Sequence, residues 1–208
     1  NKNTIDDLTD FFGPEFSIDI SSQLNQSYNI CPTQYSPVLY KSMSSLKLED
    51  MSWGLIPSWS KDKSFASKLI NARVETIEDK PSFKNLVINN RCIVIANGYY
   101  EWITTAEGKQ PLYIYSKENI ILMAGLWTSW GKINSFTIIT KNSEGNLKNI
   151  HHRMPLFINH SDVNTYLDNN IDFSDSYKFY DAGFKYYKVS KKVNFPKNDD
   201  LSCIKNID

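Results

Sequence analysis

Three short polar islands carry side chains that can move protons and hold anions. They are Asn71-Ala72-Arg73-Val74-Glu75, Gly98-Tyr99-Tyr100-Glu101-Trp102 and His151-His152-Arg153-Met154-Pro155. Arginine is scarce: Arg73, Arg91 and Arg153 are the three arginines of a chain with twenty lysines. A planar guanidinium fork binds phosphate or carboxylate with a geometry that lysine lacks. Two of the three forks sit inside these islands, which marks them for geometry rather than solubility. In an extended segment His151 and Arg153 point to one face, and an imidazole beside an anion-binding fork is chemically sensible. His152 then points away and reads as a structural hydrogen-bonder. Alternation puts Tyr99, Glu101 and Ile103 on one face. A carboxylate in an apolar strand is costly unless paired or functional. Glu101 is therefore either an ion-pair partner or an acid–base group with a raised pKa. Asn71, Arg73 and Glu75 also share a face. They read either as a turn amide beside a surface salt bridge, or as an amide that orients a reactive group with an arginine that holds phosphate. Trp53 and Trp59 are core residues or, if their loop is exposed, stacking platforms.

Other chemistry is narrowed by composition. Cys31, Cys92 and Cys203 are widely spaced and odd in number. They build neither a zinc site nor a disulfide framework, so no metal and no cofactor is expected. Cys31 could act as a nucleophile with His151 and Glu101, but a small buried thiol is the ordinary reading of a Pro-adjacent apolar segment. Cys92 lies in an Ile/Val run and reads as a buried hydrophobe. A reducing, cytoplasmic compartment fits these thiols, and neither a signal peptide nor a membrane-spanning run is visible. The formal net charge of zero argues against a protein that coats duplex non-specifically, while leaving room for a narrow positive groove.

The elements that must position these residues are mostly strands. Residues 4–12 are predicted to form a short helix, with Thr4 as cap, Asp6 and Asp7 at its positive end, and Gly13-Pro14 as its stop. Strands are predicted at 38–41, 46–53, 91–96, 99–103, 111–115, 120–126, 136–140 and 186–190, with Ala106-Glu107-Gly108-Lys109 as a hairpin turn. Residues 28–33 are irregular and 56–67 form a loop. Helices are predicted at 81–89, at 145–150 ending on His151, and through residue 167 from a Ser161 cap. Strands outnumber helices and no strand–helix alternation repeats. The class is thus α+β with mainly antiparallel sheet, and residues 1–208 read as one domain.

In order along nearly the whole chain, the motifs resemble the SOS-response-associated peptidase (SRAP) family. Tyr28-Asn29-Ile30-Cys31-Pro32-Thr33-Gln34 is similar to its early segment, which usually carries alanine at the position of Cys31. Trp53-Gly54-Leu55-Ile56-Pro57-Ser58-Trp59 is similar to its tryptophan loop. The three islands, Ala124-Gly125-Leu126-Trp127, Phe136-Thr137-Ile138-Ile139-Thr140 and the tail from Val189 to Asp200 complete the likeness. The resemblance implies a barrel-like fold of curved antiparallel sheets around a cleft, with peripheral helices. It implies binding of single-stranded DNA at abasic sites, with no obligate protein partner. It also implies an N-terminal cysteine, exposed by self-processing removal of the initiator methionine. The cysteine's amine and thiol close a thiazolidine on the abasic aldehyde, and lyase activity is a further implied outcome. Asn71 would orient the amine, Glu101 would move protons, and His151 would act as acid or base at the sugar. Arg73 and Arg153 would grip phosphates, Trp53 and Trp59 would hold the strand distorted, and Thr140 would touch its backbone. The family's opening Met-Cys-Gly-Arg has no counterpart in this chain, which starts at Asn1. As it stands the chain is expected to bind abasic DNA without forming the ring. The alternative from another class is a non-covalent single-strand binding module with a degenerate site.

Overall fold

The computed structural model describes residues 2–14, 16–20, 24–42, 45–178, 180 and 183–208; Asn1 lies outside them. The chain opens with α1 (Ile5–Phe12), whose start is fixed by a reciprocal cap: the Asp7 amide donates to Thr4 Oγ1 at 3.1 Å and the Thr4 amide donates to Asp7 Oδ2 at 2.7 Å. Gly13 ends it at φ 77°, a left-handed angle that glycine adopts without strain. The strands that follow are β1 (Ile18–Ile20), β2 (Tyr35–Ser42), β3 (Ser45–Trp53), β4 (Asn71–Arg73), β5 (Arg91–Ala96), β6 (Gly98–Thr105), β7 (Gly108–Tyr115), β8 (Ile121–Trp130), β9 (Ile133–Asn142), β10 (Arg153–Pro155) and β11 (Lys185–Lys188). Two further short helices, α2 (Leu86–Asn89) and α3 (Val163–Leu167), pack outside.

Strands β3, β2, β5, β8 and β9 pair in that order. A short parallel contact, Ser52 with Ser135 and Trp53 with Phe136, joins β9 back to β3. The result is a strongly curved sheet with a ring of hydrogen bonds rather than a clean barrel. Most pairings are antiparallel, but β1–β3, β3–β9 and β4–β9 are parallel. A second antiparallel sheet runs β11-β7-β6. The predicted α+β class with mostly sheet and few helices is what is observed.

Both faces of the ring are covered. Leu39, Ile93, Ile95 and Leu126 point outward against Leu8 and Phe12 of α1, Val87 of α2 and Val163, Tyr166 and Leu167 of α3. Val38, Val94, Ala96, Met123 and Ile138 point the other way, into a second apolar layer that also holds Met154 and Phe157. This is why β5 is buried at every position and reads in sequence as an unbroken apolar run. Arg91, at its start, is buried too. It donates to the Asp168 and Ile171 carbonyls, tying down the chain after α3. The hairpin β6–β7 turns at Ala106-Glu107, with Gly108 at φ 100°. Gly98 opens β6 where a Cβ would strike the Ile114 carbonyl and the Tyr113 ring.

Three predicted helices differ. In 81–89 only α2 is α-helical, because Phe83 and Val87 are its buried anchors. Residues 145–149 form a 3-10 turn rather than an α-helix. Before α3, the Asn159 side chain accepts from the Ser161 amide at 3.1 Å and caps a 3-10 turn, so Asn159 takes the role expected of Ser161. Among the described residues no helix is long and apolar enough to cross a membrane. Cys31, Cys92 and Cys203 are free thiols.

Candidate functional site

Strand β9 is the spine of the site. Its far end pairs with β4 on one edge and β10 on the other, so that Arg73 and Pro155 both sit opposite Thr140. Two islands distant in sequence are thereby brought to one place. The third island lies on β6 of the second sheet. Between the two sheets opens a cleft of about 880 Å³, and Asn71, Arg73, Glu101, Thr140, His151, Arg153 and Trp53 all line it. That volume lies within the roughly 300–1,000 Å³ range of ligand pockets. Among the described residues, no group of three or more His, Cys, Asp or Glu is arranged to hold a metal ion.

Glu101 Oε1 lies 3.6 Å from His151 Nδ1. Burial pushes the Glu101 carboxyl above the usual carboxylate range, while His151 and the Trp102 backbone amide pull it back. His151 Nδ1 also lies 3.0 Å from the Arg153 carbonyl and 3.3 Å from the Arg153 amide. Two oxygens flank Nδ1 and favour its proton, which leaves Nε2 as the basic nitrogen. A carboxyl held partly protonated beside an imidazole is suited to passing protons in either direction. The alternation expected of His151 and His152 does not apply, because β10 begins only at Arg153. His152 lines the cleft as well, with its ring centroid 4.3 Å from that of His151. Its expected outward direction is thus corrected.

The two guanidinium groups differ. Arg73 is exposed at the end of β4. Arg153 is largely buried and engaged: its Nη atoms donate to Glu75 Oε1 and Oε2 at 2.6 and 2.9 Å, to Asn142 Oδ1 at 2.9 Å and to the Thr140 carbonyl at 2.6 Å. These bonds hold the Glu75 carboxyl below the usual range. Glu75 was grouped with Arg73 by alternation, but β4 ends at Arg73 and the 3-10 turn Val74–Thr76 swings Glu75 onto Arg153. Thr140 is buried, its hydroxyl 3.5 Å from the Ala72 carbonyl and 3.4 Å from Arg153 Nη2.

The two tryptophans separate. Trp53 is half-buried in the cleft wall, with Nε1 donating to the Ile70 carbonyl at 2.9 Å. The chain turns at Gly54, at φ 120° and tight against the Ala66 carbonyl. It then carries Trp59 outside the cleft wall, 59% exposed and edge-on to Phe65. Cys31 does line the cleft, but its sulfur's polar neighbours are the carbonyl and amide oxygens of Asn29. Burial and the Asp199 carboxylate push its thiol pKa up, which makes it a poor nucleophile.

Sequence reasoning missed Asn29 and Asn97. Asn29 is buried and donates to the carbonyls of Val193, Phe195 and Asn198, while Asp199 accepts from the Tyr28 and Asn29 amides. These bonds fasten the tail to the cleft wall. Asn97 precedes Gly98 and so resembles an ordinary turn residue; no local pattern sets it apart.

A buried carboxyl and an imidazole in ion-pair range, facing an amide and an exposed guanidinium across a cleft, define a proton-transferring site that accepts anions. The chain belongs to the SOS response associated peptidase (SRAP) family, whose model matches residues 2–196. It is 34% identical over 217 residues to abasic site processing protein YoaM of Bacillus subtilis, covering 97% of this chain and 94% of that protein. It is 30% identical over 222 residues to abasic site processing protein HMCES of Gallus gallus, covering 86% of this chain and 65% of that longer protein. The fold matches a crystal structure of a protein from Bacteroides thetaiotaomicron with TM-score 0.77 at 24% identity, over 99% of this chain and 91% of that one.

Proposed function

We propose that the cleft receives the sugar of an abasic site in single-stranded DNA, and that the protein processes the lesion there. The observation that carries this reading is the meeting of Glu101 and His151, 3.6 Å apart, with Asn71 and Arg73 in one cleft on which Lys2 also borders. Lys2 is the first described residue, so a cysteine on residues preceding it would enter the cleft from that side. Its α-amine would add to the C1′ aldehyde of the open sugar. Loss of water gives an imine, and addition of the thiol to the imine carbon closes a thiazolidine. Asn71 would orient the amine. Glu101 would deliver the proton that turns hydroxyl into departing water, and His151 would serve the ring-opening of the sugar. An imine left without ring closure would permit strand scission, which is the route to lyase activity. Removal of an initiator methionine by the same groups would be the peptidase step.

Arg73 is the direct phosphate contact in this reading. Arg153 joins it only when a phosphate displaces Glu75, and Thr140 meets the backbone beside it. Trp53 stacks within the cleft and Trp59 outside it. The test is a gel-shift titration of this chain with single strands that differ by one tetrahydrofuran abasic analogue. Tighter binding to the analogue strand, lost in Arg73→Ala, supports the proposal. Equal affinity for the two strands contradicts it.

A further inference from the structure

One buried amide joins the start of the chain to the strand that carries Glu101. Asn97 is 7% exposed. Its Oδ1 accepts from the Lys2 backbone amide at 2.7 Å. Its Nδ2 donates to Asn3 Oδ1 at 2.8 Å and to the Asn119 carbonyl at 2.7 Å. One side chain thus holds the entering segment and the loop before β8 together. Asn97 itself sits between β5 and β6, both firmly paired. Gly98 beside it has no room for a Cβ, so the backbone that aims the amide is fixed.

Direction follows from this geometry. The Lys2 amide is the last backbone donor before Asn1, and both Lys2 and Asn97 line the cleft. On the other side of Lys2 the chain is anchored at once by the Thr4–Asp7 cap and by Leu8 and Phe12 of α1 in the core. A segment held at both Lys2 and α1 cannot swing, so whatever precedes Lys2 leaves Asn97 along one path. Glu101 lies four residues further along the same strand that begins at Gly98.

We infer that Asn97 is a positioning residue: it fixes the register in which the segment ahead of Lys2 enters the cleft, and so sets the approach of the N-terminal amine to the sugar. This rests on the processing reaction proposed above and goes beyond it by assigning the aim of the nucleophile to a residue that touches neither DNA nor nucleophile. Asn97 acts through bonds to the backbone, so its effect falls on the rate within the complex and not on binding.

The experiment uses the protein with its native N-terminal residues, as wild type, Asn97→Ala and Asn97→Asp. The maximal crosslinking rate on an abasic single strand is measured at saturating DNA, together with the half-saturating concentration. Exchange of the Lys2 amide hydrogen is followed by NMR without DNA. Loss of aim by about an ångström lowers the rate of a positioned reaction by about 100-fold. Asn97→Ala is expected to cut the maximal rate by about 10- to 100-fold, to leave half-saturation unchanged and to speed Lys2 exchange. Asn97→Asp keeps the acceptor for the Lys2 amide and is expected to fall between wild type and alanine in both readouts. Melting curves establish that each variant is folded at the assay temperature. An unchanged maximal rate or unchanged Lys2 exchange in Asn97→Ala overturns the inference, as does an aspartate variant no better than alanine. A wild type that forms no crosslink sinks the proposed reaction instead, and the Lys2 exchange still decides whether Asn97 tethers the segment.

Discussion

Neutralising a carboxylate that does not line the cleft is expected to tighten DNA binding. Glu75 holds the Arg153 fork at 2.6 and 2.9 Å. Asn142 and the Thr140 carbonyl take further Nη hydrogens, and Nε is buried without a hydrogen-bond partner. The fork therefore carries a charge that Glu75 already balances. In Glu75→Gln the shape is kept, but one acceptor oxygen becomes an amide donor and the counter-charge is lost. Arg153 is then a net cation beside Arg73 at the cleft. One added phosphate contact on a single strand steepens the log–log salt slope by about 0.7, which amounts to about fivefold in affinity near 0.1 M salt. The Glu75 side chain is 43% exposed, so solvent screening limits the stability lost to about 1 kcal/mol. Fluorescence anisotropy on a strand bearing a tetrahydrofuran analogue, across a salt series, measures both quantities. Weaker binding by Glu75→Gln with an unchanged slope would refute the reasoning. It would mean that the pair holds Arg153 for geometry and that Arg153 never meets phosphate.

Other outcomes follow from the same coordinates. Burial raises the Glu101 pKa on folding, so between the ordinary carboxylate range and the raised value the folded protein keeps a proton that the unfolded chain has released. Stability then falls as pH rises through that window. Glu101→Gln should melt above wild type at about pH 8, with the gap narrowing below about pH 4, and a gap independent of pH in thermal melts would contradict the assignment. Trp59→Ala should change stability by less than about 0.5 kcal/mol because the ring is mostly exposed, yet weaken single-strand binding by about 1–3 kcal/mol if a base stacks on it. Unchanged affinity would remove Trp59 from the DNA path. Cys31→Ala in the protein with its native N-terminus should leave the crosslinking rate within about twofold, since the Cys31 thiol is pushed up by burial and Asp199; a large loss would make Cys31 a reacting group.

Much of the frame was legible where a local rule and the tertiary setting agree. Thr4 and Asp7 cap α1 from four adjacent residues. The unbroken apolar run of β5 reflects a strand covered on both faces. Glu101 stood out because a carboxylate amid Tyr and Trp needs a reason, and the structure supplies His151. What stayed hidden depends on partners far along the chain. Glu75 reaches Arg153, 78 positions away, only because β4 stops at Arg73 and a 3-10 turn follows. His152 turns into the cleft because its segment is not yet a strand, so the two-residue period gives the wrong face. Asn97 is an ordinary residue before glycine until three distant backbone and side-chain partners close around it. The parallel pairings of β3 and β4 with β9, which bring Asn71 and Arg73 to the cleft, join segments too far apart for any periodicity to reveal.

The most direct measurement is mass spectrometry of the protein bearing its native N-terminus after reaction with an abasic single strand, without borohydride. A stable adduct on an N-terminal cysteine, formed with loss of one water and slowed in Glu101→Gln and His151→Ala, is the predicted result. No adduct at all, or one that needs borohydride trapping and maps to a lysine such as Lys2 or Lys68, would contradict it.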